Sequence, residues 1–221
     1  MSLRTKLFIG GGLAAVIIAA LAAWKRKEIT AMATSLMDKA QWAKLIYDTA
    51  GAAIPGISAA GRVLLVAHAA YESGWGQVAT AARLANNIFN ITAGSAWKGT
   101  KLVEKNADWE YPLGAATTAP QPPPPATTPW QKDAKGRWRR RIDQVWRKYP
   151  DYRAAILDYW DFLGPNQNGG RYVAARNALQ AGNAAVFASE LSKARYFTLP
   201  PAQYASEVGA VMSTVSRFLA S

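Results

Sequence analysis

One carboxylate stands out by its surroundings. In "AHAAYESGWGQVATAARLANNIFNI", residues 67–91, Glu72 closes an apolar run and is followed by Gly74, Trp75 and Gly76. Val63, Leu64, Val66, Ala67, Ala70 and Tyr71 recur at helical spacing and Ser58 can cap their helix, so Glu72 falls in its last turn. There the negative end of the helix dipole and an apolar neighbour such as Trp75 both favour a protonated carboxyl. A carboxyl still protonated near neutral pH is a general acid, suited to a poor leaving group such as a glycosidic oxygen. A surface Glu at a frayed helix end fits the same spacing. His68, one turn earlier, could hydrogen-bond to Glu72 or share a metal with it. The pattern is not His-Glu-x-x-His and no third ligand is evident, so a packed or solvent-facing imidazole is the plainer reading.

The elements that must position these residues are mainly helical. Leu36, Met37, Ala40, Ala43, Ile46 and Tyr47 form an amphipathic pattern between Ala33 and Ala50, closed by Gly51. A short helical piece over 80–84 leads into an extended "NNIFNI" and a turn-rich "TAGSAWKG". "TKLVE", "KNAD" and "WEYPL" read as strand, turn and strand. The stretch "GAATTAPQPPPPATTP", residues 114–129, is proline-rich and must be an exposed loop or linker. "RWRRRIDQVWRKY" fits a helix and a strand equally. Asp151 caps a helix through Ile156, Tyr159 and Leu163, and "RYVAARNAL" and "NAAVFASELSKA" predict two more. The last helix starts at Pro201 and presents Tyr204, Val208, Val211, Val215 and Phe218 on one face.

Composition narrows the chemistry. The chain has 221 residues, no Cys and a single His, which removes disulfides, thiol catalysis and thiolate metal sites. Its formal net charge of +12 favours polyanionic surroundings: nucleic acid, an anionic membrane or the acidic cell wall. Lys132, Lys135, Arg137, Arg139, Arg140, Arg141, Arg147, Lys148 and Arg153 crowd one region around Trp138 and Trp146. At the other end, "LFIGGGLAAVIIAALAAW", residues 7–24, is uncharged and as a helix would extend roughly 27 Å, enough for a thin bilayer. Residues 1–28 are therefore expected to be an N-terminal membrane anchor with a transmembrane helix. Ala20-Leu21-Ala22 leaves open a cleaved signal peptide, and the flanking basic residues give no clear orientation.

"AHAAYESGWG", followed by "NNIFNI" and "WKG", resembles the glucosaminidase domain of glycoside hydrolase family 73, found in bacterial autolysins, flagellar peptidoglycan hydrolases and phage lysins. The resemblance continues through "YPDY", "RYV", "FASEL" and "RYFT" to Tyr204, covering roughly residues 38–219. It implies a mainly α (α+β), lysozyme-like domain over 29–221, in which a helical lobe and a small β-hairpin lobe border a glycan cleft. It further implies that Glu72 is the catalytic acid and that a carboxylate from the β-hairpin assists. Glu110 in "DWEY" matches best, with Glu104 and Asp108 as rivals. Trp75, Asn87, Phe89, Trp97 and Tyr196 are the implied cleft residues, the first and third also suited to packing. Asn90 departs from the family pattern, where glycine usually follows the Phe, and so does Leu199, where an acidic residue is usual.

The activity implied is cleavage of the β-1,4 glycan backbone of peptidoglycan by an endo-β-N-acetylglucosaminidase, for wall lysis or penetration, with no metal or organic cofactor. The implied partners are peptidoglycan strands and, through residues 7–24, the membrane, with the catalytic domain facing the wall in the periplasm or cell envelope, or on a virion membrane if phage-encoded. The rivals are a lytic transglycosylase of the same fold and a non-catalytic wall-binding virion component. Nucleic-acid binding is not what the resemblance implies.

Overall fold

A computed structural model describes residues 38–110, 128–197 and 199–221. The expected anchor over 7–24, and residues 114–127 of the proline-rich stretch, lie outside these. Among the described residues no helix is long and apolar enough to cross a membrane.

Several helices start at a side-chain cap. The Asp38 carboxylate accepts from the Gln41 N–H at 2.8 Å and opens α1, Lys39–Ala53. The Ser58 hydroxyl accepts from the Gly61 N–H at 2.9 Å and opens α2, Ala59–Ser73, as the spacing predicted. Gly61, Leu64, Leu65, Val66, Ala67, His68, Ala69, Ala70 and Ser73 of α2 are all buried, so this helix is wrapped on nearly every side. A short α3, Thr80–Ala85, precedes the sheet. After it come α4, Tyr152–Phe162, capped by Asp151; α5, Val173–Ala181; α6, Ala184–Lys193; and α7, Pro201–Ala220, with Pro in its first turn. The long α7 packs against α2, α6 and α1. Glycine at 61 is a steric requirement, because a Cβ there would lie 2.7 Å from the Gln180 carbonyl and 2.8 Å from that of Leu179. That close approach lets the Ser58 hydroxyl donate to Gln180 O at 2.5 Å.

The sheet corrects the expected hairpin. β1 spans Lys101–Glu110 without a turn, and its main partner is β3, Trp138–Arg147, reached across the proline-rich stretch. The two-residue β2, Gln131–Lys132, adds to the other edge of β3, giving the antiparallel order β1-β3-β2. "KNAD" is a bulge: Glu104 opposes Gln144 and Asp108 opposes Ile142, so Lys105, Asn106 and Ala107 face Asp143 alone. Asn106 takes φ 52°, and Asp143 holds the bulge by accepting from the Asn106 N–H at 3.1 Å and from Lys105 Nζ at 2.6 Å. "RWRRRIDQVWRKY" is thus a strand, where β1 supplies the partner that periodicity could not reveal.

One end of the sheet is fastened to the helices. Arg147 reaches both oxygens of Asp158 on α4, at 2.9 and 2.7 Å, and Tyr149 donates to the same carboxylate at 2.5 Å. The loop after α3 joins the same end through Arg147 N–H to Ile91 O at 3.1 Å and Ala93 N–H to Val145 O at 2.8 Å.

Candidate active site

Glu72 occupies the last turn of α2, and the backbone then reverses through an unusual triplet. Gly74, Trp75 and Gly76 take φ values of 60°, 61° and 75°, all left-handed. Glycine suits this; tryptophan does not, and it is held there by packing. The Trp75 ring lies edge-on to Trp42 at 6.0 Å and to Phe218 at 5.8 Å. Ser73 fixes the turn by donating to Ala69 O at 2.5 Å and accepting from the Gly76 N–H at 2.8 Å. Trp75 therefore belongs to the packing around α1 and α7, the role for which its ring is also suited, and it is not among the described residues that line the cleft.

Behind Glu72 runs a hydrogen-bonded chain of aromatic residues. Tyr204 on α7 donates to Glu72 Oε1 at 2.8 Å, and its oxygen lies 2.7 Å from His68 Nδ1. His68 Nε2 lies 2.8 Å from the Tyr159 hydroxyl. His68 is fully buried, and burial lowers its pKa to about 3, so the imidazole is neutral, with one donor and one acceptor nitrogen. Because Tyr204 gives its only proton to Glu72, His68 must donate from Nδ1 and accept from Tyr159 at Nε2. Glu72 itself is pushed above the usual carboxylate range by burial, with the Tyr204 hydroxyl and the Asn90 amide opposing the shift. Burial also holds the Tyr159 and Tyr196 hydroxyls protonated.

Glu72 opens onto a cleft of about 440 Å³ walled by the loop over 89–97, the end of β3, and the segments around Phe162, Asn168–Tyr172 and Arg195–Tyr196. Phe89 lines it while stacking on Tyr159 at 4.0 Å, so it serves wall and core together. Trp97 also lines it, its indole N–H donating to Thr100 O at 3.0 Å and the Arg147 guanidinium lying 4.7 Å from its ring. Tyr196 lines it and donates to Phe89 O at 2.9 Å. Asn87 does not reach the cleft. Its fully buried amide donates to Ile91 O at 2.8 Å and Arg147 O at 3.0 Å and accepts from the Ile91 N–H at 3.0 Å, clasping loop to sheet.

The β-strand carboxylates are not brought to Glu72. Glu110 pairs with Arg140 at 2.5 Å, at the end of the β1–β3 ladder opposite Arg147. Eight residues of β1 lie between it and Lys101, where the sheet meets the helical body. Glu104 accepts from the Trp146 indole at 3.0 Å, and Asp108 accepts from the Trp109 N–H at 2.7 Å. Among the described residues lining the cleft, Glu72 is the only carboxylate.

Several residues of the site were not legible as such. Asn90 has φ 52°, the left-handed conformation that explains how it stands where glycine is usual, and its amide donates to Glu72 O at 2.6 Å. Tyr204 reads in sequence as one more apolar-face residue of the last helix. Arg147, Arg171 and Arg195 carry no local signal, being scattered in a basic chain and gathered only by the fold.

Comparison with known proteins agrees with this geometry. Residues 57–217 match the glucosaminidase family model, described as mannosyl-glycoprotein endo-beta-N-acetylglucosaminidase. The peptidoglycan hydrolase FlgJ of Vibrio cholerae serotype O1 is 29% identical over 157 residues, 70% of this chain but only 37% of that protein's length. A peptidoglycan hydrolase mutant from Sphingomonas sp. A1 superposes with a TM-score of 0.53 at 25% identity, covering 81% of this chain and 97% of that one. The glycoside hydrolase domain of Salmonella typhimurium FlgJ, truncated at its C-terminus, shares the fold at TM-score 0.51 and 23% identity, covering 81% of this chain and 99% of that one.

Proposed function

This chain belongs to the glucosaminidase family, and from that premise we propose that it hydrolyses the β-1,4 glycan backbone of peptidoglycan on the reducing side of N-acetylglucosamine, with Glu72 as general acid. The observation that carries the reading is a carboxyl with raised proton affinity that is the only carboxylate among the described residues lining a walled cleft. With Oε1 engaged by Tyr204, Oε2 is left to carry the acid proton. That proton passes to the glycosidic oxygen as the C1–O bond breaks. The absence of a second carboxylate among the described cleft residues favours the substrate's own acetamide oxygen as the nucleophile at C1. Water then opens the resulting ring at C1 and returns a proton to Glu72.

The same single carboxylate supports a second reading, a lytic transglycosylase, in which a muramic hydroxyl rather than water closes the reaction. Purified peptidoglycan digested by the protein and analysed by mass spectrometry separates them. Reducible N-acetylglucosamine ends are expected, and anhydromuramic ends would establish the alternative. Glu72→Gln should slow release about 10²–10⁴-fold. A folded Glu72→Gln protein as fast as wild type overturns both readings.

Residues 7–24 would hold this body at a membrane with the cleft facing the wall, and the +12 charge suits anionic wall polymers. A phage origin, with the protein serving lysis or wall penetration, fits an anchored hydrolase of this kind.

A further inference from the structure

We propose that Arg171 and Arg195 form an anion subsite of the cleft that binds the free carboxylates of the peptide stems carried by the glycan strand. The inference rests on the peptidoglycan reading above and adds to it which form of the strand is preferred.

The charges of the cleft do not balance. Glu72, Arg147, Arg171 and Arg195 are the charged residues that line it. Arg147 is neutralised by the two-oxygen contact with Asp158, at 2.9 and 2.7 Å. No carboxylate among the described residues forms an ion pair with Arg171 or Arg195, and both are exposed. Neither serves to tune Glu72, whose carboxyl responds to burial, Tyr204 and Asn90. Two arginines therefore line the cleft with no acidic partner among the described residues.

Their backbone is fixed in ways that flexible surface arginines do not need. Arg195 itself takes φ 58°, beyond the end of α6, and is held by its N–H to Ser192 O at 2.9 Å and by the Tyr196 N–H to Leu191 O at 2.9 Å. Arg171 follows Asn168, Gly169 and Gly170, whose φ values are 52°, 63° and 73°, and its guanidinium lies 4.8 Å from the Tyr172 ring. The turn before it is pinned by the Asn168 amide to Phe162 O at 3.1 Å.

The chemistry selects the ligand. Hydroxyls and acetamides of the sugar backbone are neutral and are served by amides, hydroxyls and aromatic faces. The formal negative charges of the repeating unit sit on stem carboxylates, and a guanidinium is the side chain whose planar fork matches a carboxylate.

The test compares kcat/KM on stem-bearing glycan strands with kcat/KM on the same strands after carbodiimide coupling to ammonia has converted the free stem carboxylates to neutral amides. Wild type is expected to prefer strands with free stem carboxylates by about tenfold or more, as charge-assisted hydrogen bonds allow. Arg171→Gln/Arg195→Gln should lose most of that ratio, and Arg171→Lys/Arg195→Lys should keep part of it. Thermal melts identify variants that fold as wild type does, and the single Arg195→Gln and Arg171→Gln proteins replace the double if it does not fold. An unchanged ratio in folded variants, or no wild-type preference, overturns the subsite. Wild type that cleaves neither substrate instead refutes the glycan-cleaving reading on which the subsite rests.

Discussion

The Tyr204 hydroxyl donates to Glu72 Oε1 at 2.8 Å from a helix 132 residues further along the chain. One oxygen of the acid is thereby committed to the protein and the other is left for a proton. The orientation is imposed from behind, since Tyr204 takes its own hydrogen bond from His68, and His68 takes one from Tyr159.

Tyr204→Phe should therefore change both the acid's orientation and its affinity for its proton. The lost hydrogen bond favoured the carboxylate, so the Glu72 pKa rises further and the alkaline limb of the pH–rate profile moves to higher pH. Turnover at the optimum should drop about tenfold, the scale of a hydrogen bond to a charged group. An unmoved alkaline limb would show that Tyr204 only packs.

His68 should be visible in stability rather than in the rate profile. Its pKa is lowered to about 3 in the folded protein against 6.5 unfolded, so the unfolded chain binds the extra proton between those values. Stability contributed by the neutral imidazole is complete above pH 6.5 and is lost as pH falls toward 3, by up to roughly 1.4 kcal/mol per pH unit. His68→Gln, which can still bond both tyrosines, should flatten that slope in urea denaturation measured from pH 4 to 7.

Glu72 has the opposite sign. A raised carboxyl pKa means the folded protein holds the proton more tightly, so stability is lost as pH rises above the unfolded value of 4.5. Glu72→Gln should melt higher than wild type at pH 7 and close to it at pH 4, a difference scanning calorimetry resolves.

The Arg147–Asp158 pair, at 11% and 14% side-chain exposure, fastens sheet to helix. Asp158→Ala leaves the arginine charge buried without its partner and should cost about 3–5 kcal/mol in chemical denaturation. Replacing both residues with apolar ones should recover much of that loss.

Asn90 at φ 52° predicts an order among substitutions. Asn90→Gly keeps the backbone conformation and loses the side-chain interactions with Glu72. Asn90→Ala adds left-handed strain of about 1 kcal/mol and should melt lower than the glycine variant.

Local rules in the sequence determined the helices, their caps at Ser58 and Asp151, and the position of Glu72 in the last turn of α2. Capping and periodicity act over a few residues, so they can be read from the chain itself. The sequence also carried the family resemblance, and with it Glu72, Phe89, Trp97 and Tyr196 as cleft residues. What it could not carry was pairing at a distance. The strand character of 138–147 needed β1 beside it, and "KNAD" became a bulge because Asp143 lies opposite. The resemblance implies Trp75 and Asn87 as cleft residues too, yet packing against Phe218 and clasping of the Arg147 backbone are the contacts they make. Glu110 was drawn away by Arg140 across the ladder. Tyr204 meets Glu72, and Arg171 and Arg195 join the cleft it opens onto, only in the packed structure, because burial and long-range contacts, unlike a helical repeat, leave no period in the sequence.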